Sequence, residues 1–211
     1  MVMFDTMVLI LELIGTVAFS VSGAMVGLRK KMDIFGICIL GLCTAIGGGI
    51  IRDLILGNTP PLGLLNPLYA IVALASAVLV FLPGVRKLFE RRPVFFDILL
   101  RVMDSLGLGI FTVVGIRITY SVLADPSIFF LVFVGVISGA GGGVLRDVLA
   151  GQSPYIFVKH FYATASLIGA LLCALLWDGA GAPLSMCIGA LLITALRLLA
   201  AHLHWSLPKA K

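Results

Sequence analysis

The segment Gly47-Gly48-Gly49-Ile50-Ile51-Arg52-Asp53-Leu54-Ile55-Leu56-Gly57-Asn58-Thr59-Pro60 returns further along the chain as Gly141-Gly142-Gly143-Val144-Leu145-Arg146-Asp147-Val148-Leu149-Ala150-Gly151-Gln152-Ser153-Pro154, at an offset of 94. Seven of the fourteen positions are identical, and chance similarity between apolar stretches would not preserve Gly-Gly-Gly-x-x-Arg-Asp. The match extends both ways. Upstream, Glu12, Gly15, Phe19, Val21 and Gly23 correspond to Asp104, Gly107, Phe111, Val113 and Gly115 at an offset of 92. Downstream, Tyr69-Ala70 corresponds to Tyr162-Ala163 at an offset of 93. Small changes in loop length account for the drift. The chain carries two copies of one unit.

Composition says what kind of unit it is. The chain has 211 residues, 61% hydrophobic and 12% charged, about half the roughly 25% charged content of an ordinary soluble domain. Mean hydropathy is +1.17. Folding at this length buries only about 70% of the surface, too little to hide so much apolar area from water. Disorder is excluded by the same figures. The apolar runs are continuous and about 20 residues long, which indicates membrane helices and not the alternating ten-residue strands of a barrel. The predicted class is an all-α integral membrane protein with spans at about 7–28, 34–56, 66–83, 97–119, 127–150, 160–177 and 183–203. Pro60-Pro61, Asp125-Pro126, Ser153-Pro154 and Gly179–Pro183 mark connections between them.

Charge sets the expected topology. Lys and Arg number 15 against 10 Asp and Glu, a net charge of +5. The loops after spans one and three hold Arg29, Lys30, Lys31, Arg86, Lys87, Arg91 and Arg92. Lys159 follows span five, and Lys209 and Lys211 lie in the tail. The loops after spans two, four and six hold no Lys or Arg. Basic loops stay cytoplasmic, so the N-terminus is expected outside and the C-terminus inside. The start, MVMFDTM, lacks the positive region of a cleavable signal, and the first apolar run is of full span length. No separate polar domain offers a nucleic-acid site. The organisation is then a three-helix repeat at 1–92, a second at 93–178, and a seventh helix with a cytoplasmic tail at 179–211. An odd number of spans per repeat turns the second copy upside down. In such inverted repeats, ion and substrate sites lie near the midplane, on interrupted helices.

The repeated motif supplies the candidate site. Each glycine costs about 1 kcal/mol of helix propensity relative to alanine, so Gly47–Gly49 and Gly141–Gly143 are places where spans two and five can bend or unwind. Freed carbonyl oxygens facing a polar cavity would suit a cation. The competing reading is close helix packing: Gly135, Gly139 and Gly143 form a stripe of small residues, as do Gly41, Ala45 and Gly49. Thr44 and Ser138 sit at equivalent positions, either lining a path or bonding back to their own helices. Arg52, Asp53, Arg146 and Asp147 are ionisable groups on spans and must pair or meet water. Adjacent residues on a helix point apart, so the expected pairing is crosswise, Arg52 with Asp147 and Arg146 with Asp53. The alternatives are clips at the interfacial ends or charges shaping two pore mouths. Glu12 and Asp104 are functional candidates or solvated span ends. Arg101 and Arg117 are placed to snorkel. His160, His202 and His204 read as interface or tail residues. Cys38, Cys43, Cys173 and Cys187 form no CxxC and read as small apolar residues. Enzyme motifs (GxGxxG after a strand, a phosphate loop, HExxH, GxSxG) are missing from the sequence, so neither catalysis nor a cofactor is expected.

The doubled GGGxxRD motif and the three-plus-three-plus-one plan resemble the bacterial branch of the trimeric intracellular cation (TRIC) channel family, from about Asp5 to Arg197. The resemblance implies a homotrimer in the bacterial inner membrane, with a separate hourglass pore in each subunit. It implies that spans two and five line that pore and are kinked at Gly47, Gly48, Gly49, Gly141, Gly142 and Gly143, with Arg52, Asp53, Arg146 and Asp147 as the charged motif positions. The ions it implies are K+ and Na+, and the partners are other subunits and membrane lipid. The basic lipid-binding motif of animal members has no clear match here. The same domain also resembles proteins labelled glycine transporters, which leaves a secondary carrier of a small solute as the alternative.

Overall fold

The structure, a computed structural model, describes residues 2–158, 161–203 and 205. Within these it forms α1 (Val2–Arg29), α2 (Ile34–Ile55), α3 (Leu62–Leu65), α4 (Pro67–Phe81), α5 (Pro83–Arg91), α6 (Pro93–Val122), α7 (Ile128–Leu149), α8 (Tyr155–Val158), α9 (Tyr162–Ala180) and α10 (Ala182–His202). There is no strand among the described residues. His160, His204, Lys159, Lys209 and Lys211 lie outside them; His202 is exposed at the end of α10.

By length and composition α1, α2, α6, α7, α9 and α10 can each cross a membrane. The third expected span differs. Only 15 residues, α4, continue straight, and the chain then turns by 59° into α5. Pro83 causes the break, because proline has no N–H to extend a helix and its ring clashes with the preceding turn. Beyond it, Arg86, Lys87, Glu90 and Arg91 could not follow α4 into hydrocarbon, and α5 buries only Phe89.

The two copies build their helices with the same devices. Asp33 caps α2 by accepting from the Gly36 N–H at 2.7 Å, and Ser127, its counterpart, caps α7 by accepting from Phe130 at 3.3 Å. Both helices end in the same double-bonded turn. Asn58 N–H reaches the Asp53 carbonyl and Gly57 N–H the Leu54 carbonyl; Gln152 and Gly151 repeat this onto Asp147 and Val148. The turn needs a left-handed residue, and Gly57 (φ 74°) and Gly151 (φ 64°) supply it.

Helices α1, α2 and α4 pack as one group, α6, α7 and α9 as another, and α10 lies on α6 and α9. The groups meet where α1 packs on α6 and α2 packs on α7. On the second seam Gly47 faces Leu145 and Ile51 faces Gly141. Rising numbers on one helix meet falling numbers on the other, so α2 and α7 run antiparallel.

The glycine runs do not unwind. Both α2 and α7 are continuous through them, which corrects the expectation of freed carbonyl oxygens. A Cβ at Gly48 would collide with the Ser138 carbonyl oxygen, and one at Gly142 with the Thr44 carbonyl oxygen. The glycines let two backbones touch, and that close packing offsets their propensity cost without breaking either helix. The flanking stripe packs sideways. Gly139 lies against Thr112 and Leu108 of α6, and Gly41 against Ser20 of α1 and Ala77 of α4.

Candidate functional site

The crossing of α2 and α7 is the centre of the site. Thr44 and Ser138 are fully buried there. Thr44 Oγ1 donates back to the Leu40 carbonyl at 2.6 Å. Ser138 Oγ has no hydrogen-bond partner among the described residues. Beside them Phe19 and Phe111, equivalent in the repeat, stack with centroids 5.4 Å apart. They too are held by glycine: a Cβ on Gly107 would strike Phe19, and one on Gly15 would lie 3.0 Å from Phe111. Hydroxyls brace each group in parallel, Ser20 Oγ to the Ala73 carbonyl at 2.5 Å and Thr112 Oγ1 to Ser166 Oγ at 2.8 Å.

At the C-terminal end of α2 a cavity of about 360 Å³ opens, with Glu12, Thr16, Ala45, Gly49, Arg52 and Tyr69 among its walls and Phe111 also lining it. Tyr69 Oη donates to Glu12 Oε2 at 2.5 Å. Arg117, on the same cavity, pairs with Asp5 at 3.2 Å, consistent with a side chain reaching towards water.

At the C-terminal end of α7 the corresponding residues are closed together. Arg146 is 0% exposed. Its Nη1 donates to Asp104 Oδ1 at 2.6 Å and to Ser22 Oγ at 2.5 Å. Arg197, from α10, reaches Asp104 Oδ2 at 3.6 Å. The two guanidinium groups sit over the rings of Tyr155 (4.9 Å) and Tyr162 (4.6 Å). Asp104, at 1% exposure, is therefore no solvated span end, whereas Glu12 is half-buried on an open cavity.

The crosswise ion pairs do not form. Arg52 Nε bonds its own neighbour Asp53 at 2.8 Å, and Arg146 Nε bonds Asp147 at 2.9 Å. Both pairs lie buried in the last turns of α2 and α7. The aspartates are turned towards the chain that follows. Asp53 Oδ2 accepts from the Leu62 N–H at 2.9 Å and Asp147 Oδ2 from the Tyr155 N–H at 2.8 Å. Each holds a short helix, α3 or α8, across the end of its long one. Residue spacing missed this because the partner amides lie eight or nine residues away, at the first residues of α3 and α8. The sequence assigns Arg197 no role, because nothing in its surroundings marks it as a partner of Asp104. Among the described residues no group of three or more His, Cys, Asp or Glu is placed to hold a metal ion.

Comparison with known proteins agrees with this architecture. The family model described as "Glycine transporter" matches residues 9–83 and 101–178, segments that each hold one copy of the GGGxxRD motif. The UPF0126 inner membrane protein YadS of Escherichia coli K12 is 34% identical over 200 residues, covering 94% of this chain and 93% of its own. A crystal structure of a prokaryotic TRIC channel in KCl superposes with a TM-score of 0.88 at 30% identity, covering 96% of this chain and 100% of that one. The TRIC trimeric intracellular cation channel orthologue from Rhodobacter sphaeroides gives 0.84 at 33% identity, with 95% and 100% covered. This chain belongs to the glycine transporter (UPF0126) family and is a bacterial TRIC-family member, a multi-pass protein of the inner membrane.

Proposed function

We propose that this protein is a channel for monovalent cations, K+ and Na+, with a conduction path in each subunit of a homotrimer embedded in membrane lipid. The path runs along the crossing of α2 and α7, past Gly47, Gly48, Gly49, Thr44, Gly141, Gly142, Gly143 and Ser138. Arg52 with Asp53, and Arg146 with Asp147, stand at its two ends. The repeats at 1–92 and 93–178 are inverted, with α10 and the tail (179–211) added; the N-terminus is outside and the C-terminus cytoplasmic. In this orientation the cavity faces outward and the Arg146 cluster inward.

The observation that carries this reading is the antiparallel crossing at Gly48 and Gly142, with a polar cavity on one side and a dry ion-pair cluster on the other. Antiparallel equivalents are what an inverted repeat requires. The likeness to proteins described as TRIC cation channels supports the choice of ion. Because the helices stay intact, the path lies beside the glycines, along hydroxyls, and not through opened backbone. In this reading Arg146, Asp104 and Arg197 seal the inner end when the channel is closed. Among the described residues Arg146 Nη2, Arg197 Nε and Tyr162 Oη have no hydrogen-bond partner, while Asp104 Oδ2 faces Arg197 at 3.6 Å.

The test is purified protein in a planar bilayer. Discrete unitary currents in KCl, lost when K+ is replaced by a bulky organic cation, support the reading. Saturable glycine uptake into vesicles without unitary events would establish the carrier instead.

A further inference from the structure

We propose that Glu12 is the residue that draws cations into the cavity at the α2 end, and so sets the charge preference of entry from that side. This rests on the channel reading above.

Three charged residues line the cavity: Glu12, Arg52 and Arg117. Both arginines are already neutralised, Arg52 by Asp53 at 2.8 Å and Arg117 by Asp5 at 3.2 Å. Glu12 enters no ion pair among the described residues. One of its oxygens accepts from Tyr69, a neutral donor, so its negative charge stays uncompensated. With Asp53 and Asp5 counted beside the arginines they pair with, the charges at the cavity sum to one negative unit, and Glu12 is the carboxylate of that set which lines the cavity itself. The repeat counterpart shows what a neutralised carboxylate looks like: Asp104 has two guanidinium groups and no access to solvent. Around the α2–α7 crossing, the residue type, the missing ion-pair partner and the open volume coincide at Glu12 among the described residues. A unit charge acting across about 7 Å of water changes the local concentration of a monovalent ion by about threefold, and low-dielectric walls increase the effect. It fades as salt rises, because the screening length falls from about 30 Å at 0.01 M to about 3 Å at 1 M.

The experiment is single-channel recording of wild type, Glu12→Gln and the charge-keeping Glu12→Asp at low and high KCl. Glutamine keeps an acceptor for Tyr69, so folding is preserved while the charge goes. Expected for Glu12→Gln is an about threefold smaller K+ current at 20 mM KCl. The loss is confined to ions entering from the cavity side, so the current–voltage curve bends. At 1 M KCl the difference disappears. Glu12→Asp, which keeps the charge, restores most of the wild-type low-salt current. Equal low-salt currents in wild type and Glu12→Gln overturn the proposal, as does an equal loss in Glu12→Asp. A wild type without unitary currents overturns the channel reading itself, and this assignment with it.

Discussion

Nearly the same parts make two opposite ends. At the α2 end, Glu12, Tyr69 and Arg52 surround a cavity; at the α7 end, Asp104, Tyr162 and Arg146 close into a buried cluster. Two differences account for this. Asp104 receives Arg146 directly, while Arg52 stays on Asp53 and leaves Glu12 to Tyr69. Arg197 comes from α10, which has no counterpart in the first repeat. Sequence repetition thus fixes the parts, and an unrepeated helix decides which end is shut.

The largest expected effect tests what the two ends share. Gly48→Leu or Gly142→Leu places a side chain on a backbone carbonyl of the partner helix, so either variant should fail to give monodisperse protein in detergent. Gly84→Leu, where a Cβ meets nothing within 4 Å, should purify as wild type. Recovery of folded Gly142→Leu would break the crossing on which both halves depend.

The next effect separates the ends. Asp104→Asn removes one partner from a buried ion-pair cluster and should cost about 3–5 kcal/mol, read as a large fall in the midpoint of thermal unfolding. Glu12→Gln, at the half-buried equivalent position, should cost under about 1 kcal/mol. Equal losses would show that the ends are energetically alike in spite of their geometry.

A smaller effect addresses the unrepeated helix. Arg197→Leu should loosen the closed end by about 1 kcal/mol, raising the ratio of open to closed time about fivefold. Single-channel dwell times measure it. No change in open probability would remove α10 from the account of why one end is shut.

These contrasts also mark what the sequence could and could not disclose. Hydropathy located the long helices because each apolar run must satisfy its backbone internally. The short third span was harder: Pro83 sits where the apolar run ends, and only the helix beyond shows that α5 turns 59° away from the axis of α4. The repeat identified Gly48 with Gly142 and Glu12 with Asp104. It did not tell packing from unwinding, because glycine permits both and the neighbouring carbonyl decides. Neighbours such as Arg52 and Asp53 pointed apart on an ideal helix. In the last turn Asp53 instead bends towards Leu62, and the arginine follows it. No local pattern could reveal that Asp104 is sealed and Glu12 open, since Arg197 lies far off in the chain.

The central claim is that cations pass along the α2–α7 crossing by way of the cavity. Ala45 lines that cavity, whereas Ile71 on α4 is 62% exposed on the outer apolar surface. The most direct measurement is the K+ current through Ala45→Cys before and after a charged methanethiosulfonate reagent is added to one side of the bilayer, with wild type and Ile71→Cys as controls. The account predicts a block of Ala45→Cys from one side only and unchanged currents in both controls. Undiminished current through modified Ala45→Cys, or equal block of Ile71→Cys, would contradict it.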